Sequence, residues 1–331
     1  MILQVIGSMR GGGAEKVALT LHEGFLKLNQ KSKILVLHKK VDYPINNKYI
    51  LFEEDILSFI QKTQPNLIIA HMQSSAEQLQ AIKGYPHLFF VIHTTISQRF
   101  KYKNFFSRIK HKRKFLTLYK NSQIISVSDG IKEDLKEFGL FNVKRIYNPF
   151  NFEKIQKLSE EELNLKYDYI ISVGNLTRVK RQDLLIKVIS LLKTDLHLIL
   201  LGKGHQEKNL KSLVKELHLE ERVHFLGWKE NPYKYMKNAK LFVLSSDVEG
   251  FGNVIVESLA LNIPVVSMNC PSGPNEILVD ELSSFLVNTG DILELKEKIE
   301  LALTHYPNIK KEYYKKFDYI EIAKEYIALK S

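Results

Sequence analysis

Short, nearly continuous apolar runs separated by helical stretches recur along this chain, and they limit its fold more tightly than any other feature. The first series is ILQVI (2–6), SKILVLH (32–38), NLIIA (66–70), LFFVIH (88–93), QIISVS (123–128) and VKRIYN (143–148). The pattern then restarts with DYIISVG (168–174), LHLILLG (196–202), RVHFLG (222–227), KLFVLSS (240–246) and IPVVSM (263–268). Strands that are apolar throughout, rather than at every second position, belong to parallel sheets covered on both faces. Parallel neighbours need crossover connections, which the intervening helices supply. Two doubly wound α/β domains are therefore predicted, in keeping with 331 residues, more than one core usually organises. The expected boundary lies in NPFNFEKIQKLSEEELNLKYD, where Pro149 ends the apolar pattern and a polar, acidic stretch follows. This places the domains over 1–155 and 156–310, with a C-terminal helix over 311–331 packing back on the first.

Several classes are excluded early. A single cysteine, Cys270, forbids an intramolecular disulfide framework, and no Cys/His spacing matches a structural zinc site. No apolar run approaches the roughly 18 residues of a membrane span, and ILQVI is too short for a signal-peptide core. A cytoplasmic protein, soluble or peripherally bound to the inner membrane face, is expected. The net charge of +11 is unevenly placed: residues 1–157 hold 25 Lys and Arg against 12 Asp and Glu, the remainder 23 against 25. Much of the excess lies in residues 99–120, where Arg99, Lys101, Lys103, Arg108, Lys110, Lys112, Arg113, Lys114 and Lys120 alternate with Phe100, Phe105, Phe106, Ile109 and Phe115. A basic helix carrying aromatics suits an anionic membrane surface. The plainer account is a solvated face with its aromatics packed on its own domain. No nucleic-acid motif accompanies the charge, so no nucleic-acid partner is expected.

In open α/β sheets ligands bind outside the carboxyl ends of the strands. Four loops there are unusual. GSMRGGGAEKVAL follows the first strand, and its glycines open a helix with backbone able to approach an anion, although their spacing is not that of a dinucleotide fingerprint. His93, Thr94 and Thr95 follow LFFVI. NLTRVKRQDLLI brings Arg178, Lys180 and Arg181 to the start of a helix, and SSDVEGFGNVIVE puts Glu249 and Glu257 on either side of a glycine turn.

These segments resemble the retaining glycosyltransferases of family 4. EGFGNVIVE resembles that family's E-x7-E motif, and SVGNLTRVKRQDLLIKV its V-G-R-L segment with a following lysine. GKGHQEKNLKSLVKELHLEERVHFLGW and GGGAEKVALTLHEGF resemble two further segments in the family's order. The resemblance implies the GT-B architecture, two facing Rossmann-like domains with parallel sheets and the active site in the cleft. It implies that Phe251, Gly252 and Asn253, at the start of the helix carrying Glu257, hold the diphosphate of a nucleotide-sugar. Lys180, with Arg178 as second cation, would stabilise the departing diphosphate. Glu249 would reach the donor sugar's hydroxyls, Glu257 the ribose hydroxyls and His93 the sugar from the opposite domain, while Gly12 and Gly13 would lie beside the phosphates and acceptor. Where the family usually has arginine this chain has Asn175, so Arg178 or Arg181 is expected to replace that charge.

Each assignment has a plainer alternative: Glu249 and Glu257 as a helix-end carboxylate and an exposed helix residue, His93 as a hydrogen-bonded structural histidine, Lys180 as a solvated lysine. Trp228 either borders the base pocket or packs between loops. Asp247 and Glu249 together look like a metal-binding pair, yet lysine and helix amides already serve a diphosphate, so no metal and no cofactor are expected. The whole reads as a retaining, metal-independent hexosyltransferase. It would move a hexose or N-acetylhexosamine from a UDP-sugar to a lipid-linked oligosaccharide or lipopolysaccharide-type glycolipid. A GT-B-type sugar-nucleotide epimerase and a non-catalytic membrane- or nucleic-acid-binding protein are the alternatives.

Overall fold

The computed structural model describes residues 1–9, 12–38, 47–52, 55–101 and 105–330. Gly11 of the glycine run and Lys103 of the basic segment lie outside the described residues, as do the side chains of Arg99, Phe100, Lys101 and Phe105. The chain divides into two compact units, Met1–Asn151 with Phe317–Ser331, and Phe152–Lys316. The division falls four residues before the expected boundary. The helix expected over 311–331 is in fact two, Glu312–Lys315 in the second unit and Tyr319–Ile327 in the first. Asp318 separates them and caps the later one, its carboxylate accepting from Ile320 N at 2.9 Å.

The first unit is built on a seven-stranded parallel sheet of β1 (Ile2–Ile6), β2 (Ser32–Val36), β3 (Ile50–Leu51), β4 (Leu67–His71), β5 (Leu88–Ile92), β6 (Gln123–Ser126) and β7 (Val143–Arg145). Its order is β3-β2-β1-β4-β5-β6-β7. The second carries β8 (Tyr169–Val173), β9 (His197–Leu201), β10 (Val223–Gly227), β11 (Leu241–Leu244), β12 (Val265–Met268) and β13 (Leu286–Val287), in the order β10-β9-β8-β11-β12-β13. Every pairing in both sheets is parallel. The eleven apolar runs all became strands. Two strands of two residues each, β3 and β13, were not anticipated, because a dipeptide displays no periodicity. All five residues of β1, β4 and β5 are buried, as expected where helices cover both faces.

Each sheet has one point where the strand order reverses: between β1 and β4 in the first unit, and between β8 and β11 in the second. Chains leaving two neighbouring strands there turn in opposite directions and open a crevice at the carboxyl ends. In the first unit, Gln4 of β1 aligns with Ile69 of β4, and His71 of β4 with Val91 of β5. In the second, Phe242 of β11 aligns with Ile171 of β8.

The helix Tyr319–Ile327 closes the first unit against the helix Gly13–Lys27. Phe150 and Asp318 bridge in parallel, Phe25 and Tyr326 pack edge to face at 6.4 Å, and Ile322, Ala323 and Tyr326 are buried. Gly24 permits this approach, since a Cβ there would lie 2.8 Å from Tyr319 O and 2.9 Å from Ala323 Cβ.

The basic segment forms the helices Ile96–Lys101 and Phe105–Tyr119. Its two ends differ. Phe115, Leu118 and Tyr119 are buried, with Phe115 4.5 Å from Tyr119 and 6.5 Å from Phe138. Phe106, however, is 83% exposed and stands with Ile109, Arg108, Lys110, Lys112, Arg113 and Lys114 at the surface. Lys114 pairs with Glu77 at 2.9 Å and Lys112 lies over the Phe138 ring. Burial agrees with the solvated-face account for the apolar residues of the last turns, while Phe106 is exposed. Among the described residues no helix is long and apolar enough to cross a membrane.

Candidate functional site

The loops after β8 and β11 meet at the reversal point of the second unit. After Val173 the chain passes through Asn175 and Thr177 into a short 3₁₀ turn, Arg178–Lys180. Its position is set by neighbours: Leu176 N donates to Lys203 O at 3.0 Å, and a Cβ on Gly204 would lie 2.1 Å from Leu176 O. Two bonds join it to the loop after β11, Asp247 N to Val179 O at 2.8 Å and Ser245 Oγ to Lys180 O at 2.9 Å. Backbone and side-chain donors thus hold the two segments as one surface.

On that surface Lys180 Nζ meets Glu249 Oε1 at 2.5 Å, and Ser246 Oγ donates to the same oxygen at 2.7 Å. The Lys180 and Glu249 side chains keep only 25% and 10% of their accessible surface. Such a pair is less screened than a surface one, and truncating either partner leaves a poorly solvated charge. Both donors converge on Oε1. Ser246 is a site residue that sequence reasoning missed; its only signal is its place three residues before the first glutamate.

Arg181, expected as a possible stand-in for the cation missing at Asn175, is engaged otherwise. Its Nε and Nη2 fork on Asp183 at 3.1 and 3.3 Å, and Nη1 reaches both Asp247 oxygens at 3.2 Å. Hydrogen bonding to Asp183, with Asp247 adding to it, holds the guanidinium still more firmly protonated than usual. Its charge is balanced within the unit, and its geometric effect is to anchor Asp247 two residues before Glu249. Arg178 and Asn175 are exposed on the same loop. Among the described residues no group of three or more His, Cys, Asp or Glu side chains is placed to hold a metal ion.

The glycine turn leads into the helix Asn253–Ala260, whose N-cap Gly252 has φ 90°, ψ 50°. A left-handed residue there suits glycine and leaves no side chain over the helix start. Phe251 is buried and is held from below by Gly273, where a Cβ would lie 1.9 Å from Phe251 O. Ser272 Oγ donates to Gly250 O at 2.7 Å. This eight-residue helix therefore begins on a fixed backbone four residues after Glu249, the partner of Lys180, a combination suited to an anion. Glu257 is 2% exposed and accepts from Tyr233 Oη at 3.5 Å. The account of Glu257 as an exposed helix residue fails on that burial. Cys270 lies buried beneath, its thiol pushed up to about 12 by burial and by Glu249. Trp228 is 39% exposed.

In the first unit Gly12 caps the helix Gly13–Lys27 in extended conformation. A Cβ on Gly12 would lie 2.4 Å from Glu15 Oε2, so the buried Glu15 carboxylate folds over the helix start. Glu15 was not anticipated, although an acid in the first turn complements the helix dipole. His93 lies at the end of β5, half-buried, its Nε2 3.1 Å from His71 Nδ1. The chain after it is anchored by Asp134, whose carboxylate accepts from Ile96 N at 2.5 Å and Ser97 N at 3.2 Å. His71 and Gln4 were also missed; their signal is a polar residue inside or at the end of an otherwise apolar strand.

Comparison with known proteins identifies the family. Residues 153–320 match the family described as glycosyl transferases group 1. The chain is 31% identical over 352 residues to an N-acetylgalactosamine-N,N'-diacetylbacillosaminyl-diphospho-undecaprenol 4-alpha-N-acetylgalactosaminyltransferase of Campylobacter jejuni, covering 97% of this chain and 96% of that protein. It is 29% identical, over 56% of its length and 55% of the other's, to the lipopolysaccharide core biosynthesis glycosyltransferase LpsE of Rhizobium meliloti. Its fold superposes on that of Anabaena HepE in complex with UDP-glucose with a TM-score of 0.78 at 21% identity, covering 99% and 98% of the two chains. For the lipopolysaccharide outer core galactosyltransferase WaaB the values are 0.72, 20%, 99% and 99%. With its two parallel α/β sheets and the family's segments in order, this chain belongs to the glycosyl transferases group 1, the family-4 glycosyltransferases of GT-B fold.

Proposed function

We propose that this glycosyltransferase moves a hexose or N-acetylhexosamine from a UDP-sugar to a lipid-linked oligosaccharide or lipopolysaccharide-type acceptor at the cytoplasmic face of the membrane, with retention of configuration and without a metal. The observation that carries the donor side is the Lys180–Glu249–Ser246 constellation beside the start of the helix Asn253–Ala260. An ammonium and a helix N-terminus together offer positive charge to a diphosphate that gains negative charge as the sugar departs. Lys180 then exchanges part of its contact with Glu249 for a phosphate oxygen, and Arg178 is the second cation. Glu249 is left to accept from sugar hydroxyls, and Glu257 from the ribose. The family resemblance assigns Gly12 and Gly13 to the phosphates and acceptor, and His93 to the transferred sugar. The bond from the anomeric carbon to the diphosphate oxygen breaks, the acceptor oxygen bonds that carbon from the same face, and a leaving-group phosphate oxygen takes the acceptor's proton.

The acceptor class is supported by the Campylobacter relative, named for an undecaprenol-diphosphate-linked glycan, and by the exposed Phe106 among the bases of the helix Phe105–Tyr119. An aromatic amid cations suits a headgroup region and directs the protein to anionic membrane. The test is a panel of UDP-, GDP- and ADP-sugars, incubated in excess EDTA with polyprenyl-diphosphate-linked and with free oligosaccharides. Transfer from a UDP-sugar to the lipid-linked acceptor is expected. Interconversion of free nucleotide-sugars without transfer would make the chain an epimerase, and preference for GDP-sugars or for short soluble acceptors would overturn the donor or acceptor assignment.

A further inference from the structure

Two buried polar groups at the strand-order reversal of the first unit, Gln4 and His71, form a line with the half-buried His93 at the end of β5. Gln4 and His71 are 0% exposed, in strands otherwise wholly apolar. Polar side chains so placed are tolerated only when hydrogen-bonded. Gln4 Nε2 donates to Ala18 O at 3.0 Å, which orients the amide. Gln4 Oε1 must therefore face His71, and it lies 3.0 Å from His71 Nε2. A carbonyl oxygen only accepts, so His71 carries a proton on Nε2. A neutral His71 then has a lone pair on Nδ1, and that atom lies 3.1 Å from His93 Nε2. Two lone pairs at this distance would repel, so His93 Nε2 carries the proton and donates it. The second nitrogen of His93, Nδ1, is left as an acceptor, and it has no hydrogen-bond partner among the described residues.

We propose that Gln4 and His71 are positioning residues that hold His93 in one tautomer, proton on Nε2, so that its Nδ1 accepts a hydrogen bond from a hydroxyl of the bound sugar. This rests on the reading of the chain as acting on a UDP-sugar. The alternative arrangement, a doubly protonated His71 with a proton on His93 Nδ1, places a cation in a fully buried strand. Burial opposes it, lowering His71 well below the usual histidine range and His93 to about 4. The rings lie 5.4 Å apart at 27°, and Asp134 fixes the backbone beyond Thr95, so neither ring can reorient without breaking other bonds. A ring with a fixed acceptor distinguishes a sugar that offers a hydroxyl from one that lacks it, because the unpaired Nδ1 then loses its partner.

The test reads the tautomer directly, with no substrate. Long-range ¹H–¹⁵N spectra of the intact protein at pH 7, assigned with His71→Gln and His93→Gln, should show both rings neutral, with His71 and His93 protonated on Nε2 and unprotonated on Nδ1. Gln4→Met, of similar shape but without an acceptor, should turn the His93 signals into a tautomer mixture and lower kcat about tenfold with little change in donor KM. Gln4→Glu, whose carboxylate accepts from His71 Nε2 but cannot donate to Ala18 O, should draw a second proton onto His71 and move the His93 proton to Nδ1, lowering kcat as well. A proton on His93 Nδ1 in the wild-type spectrum overturns the relay whether or not the protein transfers sugar. A relay seen as described with kcat unchanged in Gln4→Met overturns the positioning role. Failure of the donor reading appears separately, as absence of UDP-sugar turnover in a protein whose histidine spectra are as expected.

Discussion

Gly273 offers the sharpest check on the turn proposed to bind the diphosphate. Its φ is +97°, outside the range L side chains adopt without strain, and a Cβ there would sit 1.9 Å from Phe251 O and 2.3 Å from Phe251 C. Comfortable carbon contacts lie at about 3.5–4.0 Å, so Gly273→Ala must push the Phe251 carbonyl back by more than about 1 Å. Strained backbone costs about 1–3 kcal/mol and overpacking about as much again. Gly290 separates the two effects: φ is +88° and nothing lies within 4 Å of a Cβ, so Gly290→Ala incurs the backbone cost alone. In urea melts Gly290→Ala should lose about 1–2 kcal/mol and Gly273→Ala about 2–5. The functional difference should be larger. Displacing the peptide before Gly252 by about 1 Å misaligns the helix start proposed to hold the diphosphate, and misplacement of that size can cost about 100-fold in rate. Calorimetric UDP affinity and donor kcat/KM, measured where both variants are fully folded, should fall steeply for Gly273→Ala and hold for Gly290→Ala. Equal losses in the two variants would refute the idea that Phe251 and Gly252 are held as part of the donor site.

Lys180→Ala should cost about 3 kcal/mol of transition-state stabilisation, roughly 100-fold in kcat/KM, and near-normal turnover would show the diphosphate to be misplaced. His22 is buried beside Ser32, its pKa pushed to about 4 by burial. The unfolded chain therefore binds more protons between about pH 6.5 and 4, stability rises with pH across that window, and up to about 3 kcal/mol is lost on acidifying through it. Urea melts at pH 7.5 and 5 should show this slope, and His22→Leu should reduce it by His22's share while the buried His71 and His93 keep theirs. Reversing Lys110, Lys112, Arg113 and Lys114 to Glu removes about 1 kcal/mol per cation, so sedimentation with anionic vesicles should fall by about 10³-fold or more while donor hydrolysis survives. Wild-type protein that ignores such vesicles at low salt would sink the membrane assignment.

The eleven strands were legible because covered parallel strands need nearly unbroken apolar runs, and such runs are hard to mistake. The glutamates and Lys180 were legible as residues of an ordered motif, but their contact was not, since 69 positions separate Lys180 from Glu249. Arg181 shows the limit. Nothing in VKRQD distinguishes a cation that meets a ligand from one that two aspartates occupy, because the choice depends on a left-handed turn at φ 49° that aims the guanidinium at Asp247. The Gln4–His71–His93 line was equally hidden, being a product of strand adjacency; only the glutamine inside ILQVI hinted at it.

The second unit is inserted within the first, since the unit of residues 1–151 is completed by the helical segment Phe317–Ser331. During synthesis the seven-stranded sheet emerges well before the helix that covers Gly24 and Phe25. Vectorial folding of domains in order from the N-terminus is thus unavailable to this chain. The later unit can close as soon as it is made, while the earlier one waits with an apolar groove open along the helix Gly13–Lys27. A chain truncated after residue 316 would therefore carry a complete second unit and an unfinished first one, with an exposed face that chaperones or proteases could engage.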